Sequence, residues 1–303
     1  MNGGWAPGVR CVQPGEGHLV AMVRVAGRLR RALLRRCWPR YVARRYAERL
    51  AGCPACEHDV LDGSDLLWVQ NVCSVRFPAE TMVSPFRDRF GLVRLGRPEL
   101  LAAALVTAAL LALTTVTTWW LLPLATAPLA FAVWFFRDPE RVVPADVDAV
   151  LAPADGVLDD VRHEAVCPFF AGPALRLGIY LSLFDVHVQR APCAGVVTRC
   201  EHRPGRHVPT VRRGVTDGNE QLLTWFVDAA GRPCVVRQVA GPVARRICSV
   251  LAVGDIVAAG QRFGLIKFGS RVELWLPAAF ELALAVQPGQ RVRGGETVLL
   301  RRG

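Results

Sequence analysis

Residues 254–260 read Gly-Asp-Ile-Val-Ala-Ala-Gly and residues 289–295 read Gly-Gln-Arg-Val-Arg-Gly-Gly, one Gly-x-x-Val-x-x-Gly pattern returning at an offset of 35. Glycine reaches backbone angles closed to other residues, so each copy permits sharp reversals between strands. Between the copies lies Phe263-Gly-Leu-Ile-Lys-Phe-Gly-Ser-Arg-Val-Glu-Leu-Trp-Leu-Pro277, where Gly269-Ser270 sits between two β-like apolar runs rather than in a polar loop. Upstream, β-rich runs over 175–183, 222–227 and 234–239 are separated by Gly and Pro punctuation. From Arg137 onward the chain is expected to be mainly β.

Paired turns of this kind build biotinyl- and lipoyl-type barrel-sandwich hybrids, so the fold class expected is a barrel-sandwich-hybrid-like domain over residues 137–303. It follows a hydrophobic helical segment at 96–136 and a basic extension at 1–95. From Leu100 to Phe136, 37 residues carry no charged side chain. A helix needs roughly 20 residues to cross the hydrocarbon core, so the run holds one span or two short ones, and Pro123 and Pro128 favour a break in the middle. Arginines flank both ends, at 87, 89, 94 and 97 and at 137 and 141, which places both flanks on the cytoplasmic side and suits a re-entrant hairpin. Residues 1–50 hold eleven Arg against Glu16 and Glu48, with apolar residues such as Val23, Leu29, Leu33 and Trp38 between them. A basic amphipathic helix on anionic lipid is one reading and a disordered arm the other; Met82 offers an alternative start.

The hydrophobic fraction of 52% is high for a purely soluble chain and points to membrane lipid as a partner. Net charge is +11, from 36 Arg and the single Lys267, without a nucleic-acid motif, so nucleic acid is not an expected partner. Ten cysteines without a regular framework read as reduced, cytosol-facing thiols. Cys53-Pro-Ala-Cys56 with His58 and Cys73 is an incomplete zinc set, so no metal site is assigned. Lys267, between the two glycine turns, raises a second reading, a carrier domain modified at that lysine.

Three further blocks carry chemistry: Ala152-Pro-Ala-Asp155-Gly156; Leu181-Ser-Leu-Phe-Asp-Val-His187-Val-Gln-Arg190-Ala-Pro192; and Gln238-Val-Ala-Gly241-Pro-Val-Ala-Arg-Arg246. With Gly269-Ser270 they occur in an order and spacing that resembles the phosphatidylserine decarboxylases, closest to the short, archaeal-like type, from about Phe135 to Pro277. The resemblance implies a self-cleaving proenzyme, cut between Gly269 and Ser270, whose fragment 270–303 stays non-covalently with the larger one. Ser270 would become a covalent pyruvoyl group, the cofactor. Its ketone forms a Schiff base with phosphatidylserine, and CO2 leaves to give phosphatidylethanolamine. A nonprocessing relative that only binds lipid is the other alternative.

Cleavage needs a base for the Ser270 hydroxyl. His187, with an ordinary pKa of about 6.5, can accept that proton, and Asp155 would orient the imidazole and stabilise its cation. The resemblance assigns both the same parts. Asp185, two residues before His187, is expected on the same face of a strand, where it tunes that histidine; a turn or salt-bridge aspartate is the alternative. Arg190, Arg245 and Arg246 are candidates for an anionic headgroup phosphate. His163, His202 and His207 are read as structural. Asn219-Glu220 matches a family motif, but Gln221 and Leu222 follow where a basic residue is common, and Ala152 stands where serine is usual. The expected location is the cell membrane, with the catalytic domain on the cytoplasmic side. Homo-oligomerisation is left open.

Overall fold

The computed structural model describes residues 18–48, 61, 86–116, 119–209, 216–241, 247–251, 253–267, 270–278 and 282–302. Two compact units separate near residue 140. The first is helical: α1 (His18–Cys37), α2 (Pro39–Ala47), α3 (Arg97–Val116) and α4 (Leu122–Phe135). Helices α3 and α4 pack on each other as a hairpin whose turn carries Trp119 and Trp120, 80% and 64% exposed. Leu105, Leu113, Leu124 and Trp134 also face outward. No helix among the described residues is long and apolar enough to cross a membrane. The break expected at Pro123 and Pro128 falls earlier. Pro123 lies in the first turn of α4, where a missing N–H costs nothing, and Pro128 lies inside the helix without ending it.

The second unit is mainly β. Its strands are β1 (Ala149–Leu151), β2 (Gly156–Glu164), β3 (Ala174–Leu181), β4 (Val188–Arg190), β5 (Gly195–Arg203), β6 (Gln221–Val227) and β7 (Pro233–Ala240). They continue with β8 (Ile247–Ser249), β9 (Ile256–Val257), β10 (Arg262–Ile266), β11 (Ser270–Pro277), β12 (Leu282–Leu284), β13 (Arg291–Val292) and β14 (Val298–Arg302). Eight form one antiparallel sheet in the order β13-β2-β3-β11-β7-β6-β5-β9, curled into a half-barrel. Two three-stranded sheets, β1-β14-β12 and β4-β10-β8, complete it.

These orders reveal a duplication. Exchanging β1, β2 and β3 with β4, β5 and β6, and β11 to β14 with β7 to β10, reproduces every pairing, with β7 and β11 side by side at the centre. The β-bulge between Leu158 and Asp160 recurs between Val197 and Arg199. In sequence the duplication survives as Ala152-Pro-Ala-Asp-Gly-Val157 against Ala191-Pro-Cys-Ala-Gly-Val196 and in the two glycine turns. Gly254, Gly260, Gly289 and Gly295 all have φ between +70° and +92°, a region that side chains with a Cβ avoid. One copy runs unbroken from β4 to β10. The other is split around it, with β1 to β3 before and β11 to β14 after.

Alternation sorts each central strand onto two faces. Val272, Leu274, Leu276, Leu177, Ile179, Val236, Phe226 and Phe263 fill the interior. On the outer face Trp225, Trp275, Leu223 and Val235 form a smaller cluster, and Phe169 meets both tryptophan rings edge-on at 5.9 and 5.0 Å. Each fully buried Leu or Ile contributes about 1.5–3 kcal/mol, so the interior face of β11 alone holds that strand firmly.

Candidate active site

Ser270 is the first residue of β11. Its neighbours across the sheet are Leu181 of β3 and Ala240 of β7. The side chain is fully buried, and among the described residues its Oγ has no hydrogen-bond partner. An unpaired buried hydroxyl costs about 1–3 kcal/mol, a cost that persists in proteins mainly where the group has work to do. Gly269, the other half of the expected cleavage pair, lies outside the described residues.

His187 is also fully buried, one residue ahead of β4. Its main-chain carbonyl accepts from Ile266 N–H at 3.4 Å, which joins the histidine segment to the strand that leads into Ser270. Nδ1 lies 2.9 Å from the carbonyl oxygen of Asp185. A carbonyl only accepts, so Nδ1 carries the proton and the neutral ring keeps Nε2 as its basic lone pair. Asp185 therefore holds the imidazole through its backbone. It sits in a turn, not on a strand as the period-two reading expected, because pairing starts only at Val188. Its carboxylate accepts from Ser182 N–H and Oγ, at 2.8 and 2.6 Å, and from the Arg291 guanidinium.

The Asp155 carboxylate is hydrogen-bonded to Arg141 at 2.6 Å and to Gly294 N–H at 2.8 Å. Burial pushes its carboxyl above the ordinary range; Arg141 and Gly294 pull the other way, and the charge of nearby Asp185 adds to the rise. The orienting hydrogen bond to His187 that was expected of Asp155 is thus made by the Asp185 carbonyl, while Asp155 is one charge in the same cluster. Arg190 is buried and donates to the Gly260 carbonyl at 3.2 Å; its stem lies against Gly295, so it braces the two glycine turns. Arg245 and Arg246 lie outside the described residues, as do Cys53, Cys56, His58 and Cys73. Lys267 is only 3% exposed, whereas a carrier lysine must reach a modifying enzyme.

Two buried amides escaped the sequence reading. Gln238 Nε2 donates to Gln189 Oε1 at 3.0 Å, and Gln189 Nε2 to the His187 carbonyl at 2.9 Å. This relay ties β7 to the histidine segment. Among the described residues Gln238 Oε1 has no partner, so it and Ser270 Oγ are two unsatisfied polar atoms on one face of adjoining strands. Their signal was a polar amide at an interior position of an apolar alternation. Asn219 supports the other flank, donating to the Ala240 carbonyl at 2.8 Å, while His202 and His207 clasp Glu220 at 3.0 and 2.9 Å.

Residues 129–300 match the family model for phosphatidylserine decarboxylase. A phosphatidylserine decarboxylase proenzyme of Symbiobacterium thermophilum is 46% identical over 183 residues, 60% of this chain and 84% of the relative. Another, from Salinibacter ruber, is 43% identical over 60% of this chain and 80% of its own length. A third, from Erythrobacter litoralis, is 40% identical over 233 residues, 73% of this chain and 88% of its own length. With more than half of its length inside the family model, the chain belongs to the phosphatidylserine decarboxylase family.

Proposed function

We propose that this chain is a pyruvoyl-dependent phosphatidylserine decarboxylase that matures by cutting itself between Gly269 and Ser270. The observation that carries the site is the buried Ser270 hydroxyl at the head of β11, without a hydrogen-bond partner among the described residues, beside a segment whose histidine is held through Nδ1 with Nε2 as its basic nitrogen. In this reading His187 takes the hydroxyl proton as Oγ attacks the Gly269 carbonyl, and the 269–270 C–N bond gives way to an ester. Removal of the Ser270 α-proton then expels the Gly269 carboxylate. The dehydroalanine left behind takes up water and loses ammonia, so residue 270 ends as pyruvoyl. Asp155 stabilises the imidazolium through its negative charge.

The residues present fit a pyruvoyl group: the site is buried, its hydroxyl has no partner among the described residues, and Asp185 and Asn219 pin the flanks. That group supplies an electrophilic carbonyl, the electron sink that loss of CO2 from an amino acid requires. The chain's own part in turnover is to exclude water and to let His187 return a proton to the product. The fragments 1–269 and 270–303 stay associated because β11 lies between two strands of the larger one. We further assign the fold to the barrel-sandwich-hybrid type. The outward-facing Leu and Trp side chains of the α3–α4 hairpin support a re-entrant membrane association, with the catalytic unit on the cytoplasmic side of the cell membrane.

Ser270→Ala tests the reading. The expected result is one uncut chain of 33.1 kDa that releases no CO2 from phosphatidylserine. The wild-type small fragment should be lighter by one ammonia than a serine-headed peptide. Normal activity in the variant would refute the assignment.

A further inference from the structure

Immediately after Ser270, on the opposite face of β11, Arg271 is 3% exposed and bound on three sides. Nη1 donates to Asp159 at 2.8 Å, Nε to Glu273 at 3.3 Å, and Nη2 lies 3.7 Å from Asp160. The β2 bulge turns Asp159 and Asp160 toward the same guanidinium. Glu273 in turn accepts from Arg237 of β7 and from Trp275 Nε1, each at 3.1 Å. The result is a stripe of charge across β2, β3, β11 and β7. Burial acts to weaken the Arg271 charge, but the Asp159 hydrogen bond and the Asp159, Glu273 and Asp160 charges outweigh it and hold the guanidinium above its ordinary value.

The duplication shows that the fold does not require this stripe. The ladder Asp160–Gly178–Glu273 has as its counterpart Arg199–Trp225–Val235, and Val157–Tyr180–Arg271 has Val196–Val227–Pro233. In the unbroken copy Trp225 fills the space with apolar bulk under an Arg199 guanidinium 4.6 Å from its ring. In the split copy Gly178 leaves that space open for Arg271; a Cβ there would meet the guanidinium at 2.1 Å. Buried ion pairs seldom add net stability over apolar packing, and their best-attested use is to fix register. Register matters here. A slip of one residue would turn the Ser270 hydroxyl to the outer face and drive Arg271 into the apolar interior, and a slip of two would carry Ser270 about 7 Å along the sheet.

Resting on the self-cleavage reading above, we infer that Arg271 is a positioning residue: locked on Asp159, Asp160 and Glu273, it sets the register and facing of β11 so that the Ser270 hydroxyl points inward for the cut. The test follows maturation of the full chain by gel and intact mass, at a temperature where circular dichroism shows each variant folded. Arg271→Gln should slow the cut on the order of a hundredfold. Asp159→Asn, which removes a charge from the lock, and Gly178→Ala, whose Cβ crowds the guanidinium, both leave Arg271 itself in place and should slow it in the same direction, and Arg271→Lys should recover part of the rate. Arg199→Gln in the other copy should mature normally. Hydroxylamine, which cleaves esters, should release no small fragment from Arg271→Gln beyond the little already cut, since a misplaced hydroxyl lets no ester accumulate. Wild-type maturation rates in folded Arg271→Gln and Asp159→Asn, or hydroxylamine release at the wild-type position, would overturn the proposal alone. An uncut wild type would overturn the self-cleavage reading and this proposal with it.

Discussion

In the unbroken copy, strands β6 and β7 are joined by a tight turn; in the split copy, their counterparts β3 and β11 are not joined at all. Asp228 closes the first, accepting from the N–H groups of Ala230 and Arg232 and from Arg232 Nε, with Gly231 at φ +78°. At the equivalent place Leu181 and Ser270 face each other as paired strand ends. From there the chain leaves through Ser182 and His187 to build the other copy, and it returns through Lys267. The candidate site occupies this seam. A turn would have spent its backbone groups on itself, whereas two open ends, held by sheet pairing on both sides, leave a rigid strand terminus facing a second, independent segment.

The largest effect should come from the seam. His187→Ala is expected to slow maturation by about two to four orders of magnitude, the range spanned by a general base. Asp228→Ala, at the closed turn, should leave the cut rate of folded protein unchanged. The comparison breaks if both variants slow the cut equally once folding is matched by circular dichroism.

Next in size is the difference between Asp155 and its counterpart Ala194. Burial raises the Asp155 carboxyl, so its contribution to stability is complete below the unfolded value and is lost as pH rises through the folded one. Asp155→Asn removes that loss. It should melt at or above the wild-type temperature at alkaline pH and yet mature up to about a hundredfold more slowly. Ala194 is exposed, so Ala194→Asp should change stability by no more than about 0.5 kcal/mol and leave maturation alone. Thermal melts against pH, run beside cleavage time courses, check both.

Much of the scaffold was legible because alternation and turn residues act locally. The expected run 175–183 overlaps β3, which ends at Leu181, and 222–227 and 234–239 fall inside β6 and β7. The glycine turns showed that something repeats. The full duplication stayed hidden because one copy is inserted into the other and the Ala-Pro-x-x-Gly-Val signature is short. Ser270 and His187 could be singled out by their blocks, but the partner of the imidazole could not. Period-two reasoning put Asp185 on a strand, whereas the chain leaves the sheet there, and the contact is made by a carbonyl that every residue possesses. The charged stripe was invisible for a related reason: a bulge shifts alternation by one residue, and nothing in the Asp159-Asp160 dipeptide announces it.

Asp228 gives the smaller, acid-side effect. Burial alone would raise its carboxyl, but the Arg232 hydrogen bonds and the Arg302 charge outweigh it and hold the group below the ordinary range. Such a group stabilises the fold above the unfolded value, about 3.9, and the contribution disappears as pH falls through the folded one. Asp228→Ala should therefore cost about 2 kcal/mol at neutral pH and flatten the acid limb of a stability–pH curve. A variant with the wild-type acid limb would show that this turn does not hold the unbroken copy closed.

The smallest expected effect tests whether the copies are equivalent where function makes no demand. Gly254 and Gly289 open the two glycine turns at φ +92° and +89°, and a Cβ at either would meet nothing within 4 Å. Substitution by alanine therefore costs only the left-handed backbone, about 1–2 kcal/mol, and should cost the same at both positions. The closing glycines are different: a Cβ at Gly260 would lie 2.6 Å from Val143, and one at Gly295 would lie 2.7 Å from Arg190, so contact is added to conformation there. Chemical denaturation of Gly254→Ala and Gly289→Ala should give matching losses. Because the proposed cut would put Gly289 in the fragment carrying Ser270 and Gly254 in the larger one, a loss confined to Gly289→Ala would mean that the turns after Ser270 are held less firmly than their twins, and that equal pairing in the two copies does not confer equal stability.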